Sequence, residues 1–445
     1  MKKHTENPRR DFMKKAAAGT AGLALGFTAK SYSRIVGANN RINAAVTGIN
    51  SRGGAHISAI NTVADGMEVV ALCDVDTRAF QHTFERYATL DPQQVKAYND
   101  IRRVLDQPDI DLVTIATPDH WHAPMAIMAM NAGKHVYLEK PFCHNPQEGE
   151  WLIAVQRKTG KALQIGNQQR SAPTSIELKS KIDQGAIGQP YYAKTWYSNN
   201  RTGIGKGQTV PVPDWLDWDL WQGPAPRKDY KDNYVHYHWH WFWHWGTGEI
   251  NNNGLHELDI ARWMLGVDTP EQVTSSGGRY SYEDDWEFYD TQIASFNFAE
   301  DKMITWEGRS CRTFPQHHNR GRGTVIYGTN GSALVDRDGY EIYDKDGNVL
   351  QASTEKEKSA STDLVGAGGL DGYHMRNLLE AIRDDKPLNS PATEAHKSTL
   401  LCHLGNMAQE DGGILQMDPN TGKPKSKKAM AMWSREYEKG WKPVV

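Results

Sequence analysis

The amino-acid sequence predicts an α/β protein with two domains: a doubly wound parallel sheet comes first, and an α/β domain with a large, mostly antiparallel open sheet follows. The first domain is predicted because short β-branched strands alternate with helical segments from residue 42 to residue 138. The second is predicted because alternating apolar strands separated by turns fill residues 272–335. A chain of 445 residues is long enough for two or more domains and a large core.

Composition argues against several classes of protein. The net charge is −3 and no basic run exceeds a few residues, so nucleic acid is not an expected partner. The four cysteines are scattered with no C-x-x-C pair, which argues against a zinc knot and against a disulfide scaffold. Beyond the N-terminal segment no apolar run is long enough to span a membrane.

The first 38 residues read as a targeting segment. Residues 7–15, NPRRDFMKK, form a twin-arginine export motif, and an Ala/Gly-rich run from Ala16 to Ala29 follows it. That run is too short for a transmembrane helix. We therefore expect export by the twin-arginine pathway to a periplasmic or envelope-associated location, with cleavage between Ser31 and Ala38. A basic amphipathic first helix is the alternative.

The first strand leads into a variant of the dinucleotide-binding turn. Residues 42–47 form the strand, and G-x-N-x-x-G replaces the usual G-x-G-x-x-G in the turn after it. Gly48 allows the tight turn, and Gly53 lets strand and helix pack closely. Asn50 stands where a glycine normally meets the pyrophosphate, and asparagine tolerates left-handed backbone better than most residues. We place Arg52 with these residues in the predicted cofactor site, although a plain Gly-rich turn is also compatible with the pattern.

An acidic residue ends the second strand. Asp74 follows the strand Glu68–Cys73 at about the distance from Gly48 at which a carboxylate binds the adenosine ribose. A carboxylate there favours NAD over NADP because it repels a 2′-phosphate. Arg78 lies nearby and could serve such a phosphate, so NADP stays possible. Asp74 as a simple helix N-cap is the alternative.

Residues 111–145 carry the candidate catalytic lysine. The strand 112–116, the helix 123–131 and the strand 135–138 are followed by Glu139-Lys140-Pro141. Open α/β sheets bind ligands at the carboxyl ends of their strands, which makes Lys140 a candidate proton donor. A surface Lys–Glu pair is the alternative.

Thr117-Pro118 with His122, followed by Glu139-Lys140-Pro141, resembles the core signature of the Gfo/Idh/MocA oxidoreductases, and in particular their exported, glucose-fructose oxidoreductase-like members. The resemblance runs from about Asn39 to the last helices. It implies a Rossmann domain holding NAD(P), a substrate domain with a large open sheet, and action on a sugar or polyol. The residues that it places at the cofactor are Thr117, Pro118, His122, Glu139, Lys140, Gln168 and Arg170. For the last two residues an ordinary polar loop is the alternative.

The predicted domain limits follow from these elements. They are 1–38 for the targeting segment, 39–163 for the Rossmann domain, 164–390 for the substrate domain, and 391–445 for a C-terminal helix and tail packing back on the domains.

Aromatic residues crowd the stretch between Trp215 and Trp245. Such density suits a carbohydrate, because aromatic faces stack on sugar rings, and we predict Trp243 as a substrate contact. A packed aromatic core or a subunit interface is the alternative. His236, His238 and His240 would share one face of an extended strand and could hold a metal. We predict no metal, because no carboxylate that would orient these histidines is apparent.

A second polar motif opens the helix Leu255–Leu265. The family resemblance implies an Asp and a His four residues apart on one helical face, and here the two positions are Asn252 and His256. Asparagine can hydrogen-bond a hydroxyl but cannot take its proton. We therefore predict that Lys140 takes the proton with help from His256, while Asn252 orients the hydroxyl. A polar helix start without a catalytic role is the alternative.

The C-terminal half predicts a broad sheet with one free face, and hence a homodimer or homotetramer. A flexible loop is expected at residues 359–369, and helices at 373–382 and 394–407.

These observations predict an exported NAD(P)-dependent oxidoreductase that moves hydride between a tightly bound nicotinamide cofactor and a secondary hydroxyl of a sugar or glycoside. Tight retention is expected because free NAD is scarce outside the cytoplasm. One alternative is a redox-assisted glycosidase or lyase like the family 109 glycoside hydrolases, whose characteristic Tyr and His loop is not recognisable here. Another is a non-catalytic sugar-binding relative, suggested by Asn50 and Asn252.

Overall fold

The computed structural model describes residues 41–355 and 369–445. The twin-arginine segment, its cleavage zone and most of the loop predicted at 359–369 lie outside the described residues.

Six parallel strands form the first sheet, in the order β3-β2-β1-β4-β5-β6. The strands are β1 (Ile42–Thr47), β2 (Met67–Cys73), β3 (Lys96–Tyr98), β4 (Leu112–Ile115), β5 (His135–Leu138) and β6 (Leu163–Ile165). The helices are α1 (Gly53–Asn61), α2 (Thr77–Arg86), α3 (Ile101–Leu105), α4 (Asp119–Asn131) and α5 (Pro146–Thr159). The predicted Rossmann sheet is confirmed, and its strand order reverses between β1 and β4, where such sheets bind ligands.

Helix α4 begins at Asp119, earlier than the predicted start at Ala123, and contains Pro124. A proline inside a helix leaves the carbonyl four residues earlier without its donor. Here that carbonyl belongs to His120, and the guanidinium of Arg435 donates to it at 2.6 Å. The helix tolerates the proline because a distant part of the chain supplies the missing hydrogen bond, which local sequence does not reveal.

Nine strands form the second sheet, in the order β14-β13-β12-β11-β7-β10-β9-β8-β15. The strands are β7 (Pro190–Ser198), β8 (Gln272–Gly278), β9 (Thr291–Phe298), β10 (Lys302–Arg309), β11 (Arg322–Gly328), β12 (Gly331–Val335), β13 (Gly339–Tyr343), β14 (Val349–Thr354) and β15 (Ile414–Gln416). Every pairing is antiparallel except β7 with β10, which confirms the mostly antiparallel sheet. Strands β13 to β15 were not predicted.

The remaining helices pack around this sheet. They are α6 (Pro173–Asp183), α7 (Trp218–Gln222), α8 (Leu255–Leu265), α9 (Gly369–Asp384), α10 (Ala392–Glu410) and α11 (Lys427–Ala431). Helices α8 and α10 lie against one face of the sheet and bury its largest apolar core. Formation of a homo-oligomer through this sheet stays a prediction. Within the two described ranges, no helix has the length and apolarity needed to cross a bilayer.

Candidate functional site

A cavity of about 420 Å³ opens at the carboxyl ends of β1, β2, β4 and β5 and extends to the second sheet. Most of the predicted site residues line it: Gly48, Asn50, Arg52, Asp74, Thr117, Pro118, His122, Glu139, Lys140, Gln168, Asn252 and His256. The two sequence motifs, which lie more than a hundred residues apart, therefore meet in one space.

The glycine turn after β1 leaves no room for side chains. Gly48 has φ +75°, and a Cβ there would lie 2.5 Å from the carbonyl oxygen of Ala116. A Cβ on Gly53 would lie 2.3 Å from the carbonyl oxygen of Gly48, so Gly53 supports the turn from below without lining the cavity. The backbone of Asn50 is not in the left-handed region, so its conformation does not require glycine at that position.

Asp74 braces the same turn. Its carboxylate accepts hydrogen bonds from the backbone N–H of Ile49 at 2.8 Å and of Asp76 at 2.9 Å. Burial raises the pKa of Asp74 above its ordinary value. Arg78 is not on the cavity wall: it pairs with Asp76 and its guanidinium lies 3.4 Å above the ring of Trp215.

His122 joins the two signature loops. Its Nδ1 lies 2.6 Å from the carbonyl oxygen of Pro141, and its Nε2 lies 2.8 Å from that of Thr117. The Thr117 hydroxyl is buried on the cavity wall without a hydrogen-bond partner within the described ranges. A buried unsatisfied hydroxyl costs free energy unless a ligand completes it.

Glu139 is the centre of a buried ion-pair network. Its Oε1 accepts from Arg52 Nε at 2.7 Å, His56 Nε2 at 3.2 Å and Gln168 Nε2 at 3.0 Å. Burial alone would raise its pKa, but the Arg52 guanidinium and His56 hold the pKa of Glu139 well below its usual range. Arg52 also pairs with Asp371, which ties the glycine turn to α9.

Lys140 points across the cavity at the second motif. Its Nζ donates to the backbone carbonyl of Asn252 at 2.7 Å and to the Asn252 side-chain oxygen at 3.2 Å. Burial lowers the pKa of Lys140 to about 8, although Glu139 and Asp119 act in the opposite direction. A lysine with this pKa exchanges protons near neutral pH.

Asn252 lies in a single π-helical turn, Ile250–Gly254, directly before α8. Its amide nitrogen lies 3.4 Å from both Glu249 Oε1 and the Tyr237 hydroxyl, while its oxygen faces Lys140. An amide fits between a carboxylate and an ammonium because it offers a donor to one and an acceptor to the other. This gives a physical reason for asparagine at the position where the family resemblance implied Asp.

His256 lines the cavity on the first turn of α8. Burial, reinforced by the charges of Arg337 and Lys140, holds its pKa well below the ordinary value, so the imidazole is neutral at physiological pH. A neutral imidazole can accept a proton or share a hydrogen bond.

Besides Gly53, two predicted site residues lie off the cavity wall. Arg170 does not line the cavity; it is buried and donates through Nε and Nη2 to the carboxylate of Asp259, each at 2.8 Å. Trp243 also lies off the cavity wall and packs on Phe288, with ring centroids 3.8 Å apart. Each side chain contacts a residue distant in sequence, Asp259 or Phe288, and not the ligand that the sequence predicted for it.

The three histidines of the aromatic stretch do not share a strand face. His238–Trp241 is a short 3-10 helix, so the extended strand that a shared face would require is not formed. His236 Nε2 lies 2.8 Å from Asp76, His238 Nδ1 lies 3.1 Å from the Asn233 carbonyl, and His240 stacks on Trp239. Within residues 41–355 and 369–445 no cluster of three or more His, Cys, Asp or Glu side chains could hold a metal.

Residues 214–245, which we call the Trp-rich strap, reach from the second domain over the first. The backbone of Trp215 accepts from Thr77, and Asp217 donates to Val75, each at 3.0 Å. At the other end Trp245 accepts from the backbone of His120 at 3.1 Å. Most of its aromatic rings form a buried cluster, and Trp221, His236, Tyr237, Trp239 and His240 also line the cavity.

Sequence reasoning did not find several other charged and polar residues on the cavity wall. They are Asn99, Asp119, Gln169, Arg201, Arg322, Arg337 and Asp371. Asp119 and Gln169 are next to residues that the sequence named, whereas the others belong to no recognised motif and reach the cavity through tertiary structure.

The wall fits a dinucleotide. Gly48 and Gly53 let the backbone turn tightly into the N-terminus of α1, where phosphates bind, Asp74 stands on the wall at the end of β2, and the Thr117 hydroxyl has no partner within the described residues. Fold and cavity together define a two-domain protein with an NAD-binding Rossmann domain.

Two family models match the chain. "Oxidoreductase family, NAD-binding Rossmann fold" matches residues 42–167, and "Oxidoreductase family, C-terminal alpha/beta domain" matches residues 174–283. Both describe the Gfo/Idh/MocA family, and together they cover just over half of the chain. The chain belongs to the Gfo/Idh/MocA oxidoreductase family.

The relatives include proteins named as dehydrogenases and proteins named as glycosyl hydrolases. Inositol 2-dehydrogenase of Salmonella typhimurium is 33% identical over 228 residues, which are 51% of this chain and 55% of the relative. The chain thus aligns with about half the length of that relative. A glycosyl hydrolase family 109 protein of Parabacteroides distasonis is 24% identical over 456 residues, 92% of this chain and 96% of the relative.

A solved structure shares the whole fold. The WlbA dehydrogenase of Bordetella pertussis, in complex with NADH and UDP-GlcNAcA, superposes with a TM-score of 0.63 at 20% identity. The superposition covers 85% of this chain and 99% of that one.

Proposed function

We propose that this protein is an exported, NAD-dependent oxidoreductase that oxidises a secondary hydroxyl of a sugar or glycoside to a ketone. The observation that carries the proposal is Lys140, whose buried Nζ lies 2.7 Å from the Asn252 carbonyl in a cavity that fits a dinucleotide. When bound, NAD supplies the hydride acceptor.

The side chains divide the remaining work. Neutral Lys140 takes the hydroxyl proton, since burial lowers the pKa of its ammonium to about 8. Neutral His256 accepts a hydrogen bond from the substrate or shares that proton. Asn252 orients the hydroxyl between its amide and Lys140.

The cofactor site supports NAD more than NADP. Asp74 stands on the cavity wall at the end of β2, where a carboxylate repels a 2′-phosphate. Arg78, the residue that could have bound such a phosphate, is occupied by Asp76 and Trp215.

Tight retention of the cofactor is part of the proposal. The Trp-rich strap contacts the first domain beyond β2 and at the start of α4, so it lies across the cavity that the nucleotide would fill. Export, proposed from residues 7–15, makes retention necessary because a released nucleotide would be lost. Replacing Arg9 and Arg10 by lysine should keep the protein in the cytoplasmic fraction.

Mass spectrometry of the small molecules released from denatured, natively purified protein tests the proposal first. We expect NAD or NADH at close to one per chain. Recovery of no nucleotide, with no uptake of added NAD, would instead support a sugar-binding protein without catalysis. Light scattering on the same sample tests the proposed homodimer or homotetramer.

A redox-assisted glycosidase is the second candidate, favoured by the alignment with a family 109 glycoside hydrolase over 92% of the chain. In such a reaction the hydride returns to the substrate, so glycosides are cleaved without net consumption of an acceptor. A dehydrogenase stops after one turnover unless an acceptor such as a second keto sugar or aldose is added. Product analysis with and without an added acceptor therefore separates the two.

A further inference from the structure

Arg337 is presented to the cavity by a rigid hairpin tip. It lies between β12 and β13, and its side chain is on the cavity wall. The carbonyl of Asp336 accepts from Gln169 Nε2 at 2.7 Å, and the carbonyl of Asp338 accepts from the backbone of Glu355 at 2.7 Å. The backbone on either side of Arg337 is therefore held, so the direction of its side chain is restricted.

Among the arginines on the cavity wall, Arg337 alone has no carboxylate partner within the described residues. The other arginines of the wall are paired: Arg52 with Glu139 and Asp371, Arg201 with Glu249, and Arg322 with Glu257. Burial next to Arg322 lowers the pKa of Arg337 to about 9, so it remains charged at neutral pH. A half-buried charge without a partner is costly unless a ligand supplies the opposite charge.

Arg337 would hold the anionic group of a ligand in the part of the cavity where Lys140 and His256 lie. Arg337 is the charge that most strongly holds down the pKa of His256, ahead of Lys140. The anionic group would therefore lie beside the two residues that we propose for proton transfer, and a substrate can carry it there.

The charges around Arg337 favour a group with one negative charge. One guanidinium is free, while Glu257 and Asp371 stand close by and already neutralise Arg322 and Arg52. A dianionic phosphate would gain one free cation and face two carboxylates. A carboxylate matches the single charge and the planar fork of arginine.

We propose that the substrate is a sugar acid whose carboxylate binds Arg337 while its secondary hydroxyl meets Lys140. The placing of the hydroxyl at Lys140 rests on the proposed function. Binding of the carboxylate to Arg337 can be measured without any catalytic turnover.

Titration calorimetry on natively purified, full-length protein tests the site. The probes are D-glucuronic, D-galacturonic and D-gluconic acids, each compared with its neutral amide. At least one acid should bind more tightly than its amide, by about tenfold or more. Arg337→Gln should remove this preference without changing the affinity for the amide or the nucleotide content, and Arg337→Lys should keep part of it. Arg103→Gln, on the exposed face of α3, is the matched control and should change nothing.

Two results would overturn the proposal. One is that every amide binds as well as its acid, a comparison that needs only the wild-type chain and stands even if Arg337→Gln does not fold. The other is that Arg337→Gln loses the nucleotide but keeps the preference for acids, which would assign Arg337 to a cofactor phosphate. Oxidation of neutral glycosides without any preference for acids would leave the proposed function intact and reject the sugar acid. A preference for acids in a protein that reduces no nicotinamide would support the carboxylate site and reject the proposed function.

Discussion

The Nζ atom of Lys140 donates to the main-chain carbonyl of Asn252 at 2.7 Å, and this contact joins the two domains at the cavity. Lys140 follows strand β5 of the first domain, and Asn252 lies in the π-helical turn before α8. A main-chain oxygen is not protonated at physiological pH and is present whatever side chain stands at that position. The contact therefore directs the lysine into the cavity.

The rate of sugar oxidation should depend on the protonation of Lys140. Only the neutral amine can take a proton, and burial lowers the pKa of the ammonium to about 8. We expect kcat/KM to rise tenfold per pH unit below that value and to level off above it. A profile that is flat between pH 6 and pH 9, in wild-type protein that remains folded, would contradict this assignment.

Lys140→Met should lower kcat by about a hundredfold to ten-thousandfold, the usual contribution of a general base. The nucleotide content should be unchanged, because the methionine stem fills the same space. Lys158→Met, on the exposed face of α5, is the control for removal of a lysine charge. Stopped-flow absorbance of reduced nicotinamide measures both variants, and equal rates would reject Lys140 as the base.

Asn252→Asp tests the reason for asparagine at this position. A carboxylate there would lie beside Lys140 and Glu249. It would stabilise the Lys140 ammonium and repel the Glu249 carboxylate. We expect the midpoint of the pH–rate profile to move upward and the activity at neutral pH to fall. An unchanged midpoint would show that the Asn252 side chain does not sense the charge on Lys140.

Arg170→Met should destabilise the fold without a specific effect on the cofactor. Removing one partner of the buried pair leaves Asp259 as a buried unpaired charge, at a cost of about 3–5 kcal/mol. Urea unfolding measures this loss, and Arg170→Met with Asp259→Leu should recover part of it. Loss of nucleotide at unchanged stability would instead return Arg170 to the cofactor site.

The strap prediction concerns the rate of cofactor release. Trp215→Ala removes the ring on which Arg78 stacks, next to the contact of His236 with Asp76. Release of the nucleotide should become faster, by about tenfold if roughly 1.4 kcal/mol is lost. Trp243→Ala is the matched control, because its ring packs on Phe288 away from the cavity. Equal release rates from the two variants would show that the strap does not retain the cofactor.

Local signals predicted the first domain well. Strand, glycine turn and helix follow each other within a few residues, and a tight turn such as Gly48 leaves its trace in the sequence itself. The second sheet was predicted in its middle strands, where apolar residues alternate. Strands β14 and β15 escaped because they lie at the two edges of the sheet, where alternation is weak.

The candidate site was predictable only where a motif carried it. Lys140 was named from its place at the carboxyl end of a strand and His256 from the family resemblance, and both line the cavity. Arg170 and Trp243 were misplaced, because their partners Asp259 and Phe288 are brought to them by the fold. Arg337 left no signal: an arginine in a hairpin looks like a solvated surface residue until the tertiary structure turns it inward.

The absorbance of reduced nicotinamide shows directly whether this protein oxidises a sugar with its own cofactor. It is recorded after a panel of sugars, sugar acids and glycosides is added to natively purified protein without added cofactor. We expect at least one compound to raise this absorbance in the wild type, up to the content of bound nucleotide, and Lys140→Met to slow the rise by about a hundredfold or more. A protein that releases no nucleotide on denaturation, or a Lys140→Met variant that reduces its nucleotide as fast as the wild type, would rule out oxidation by Lys140 and a bound nicotinamide.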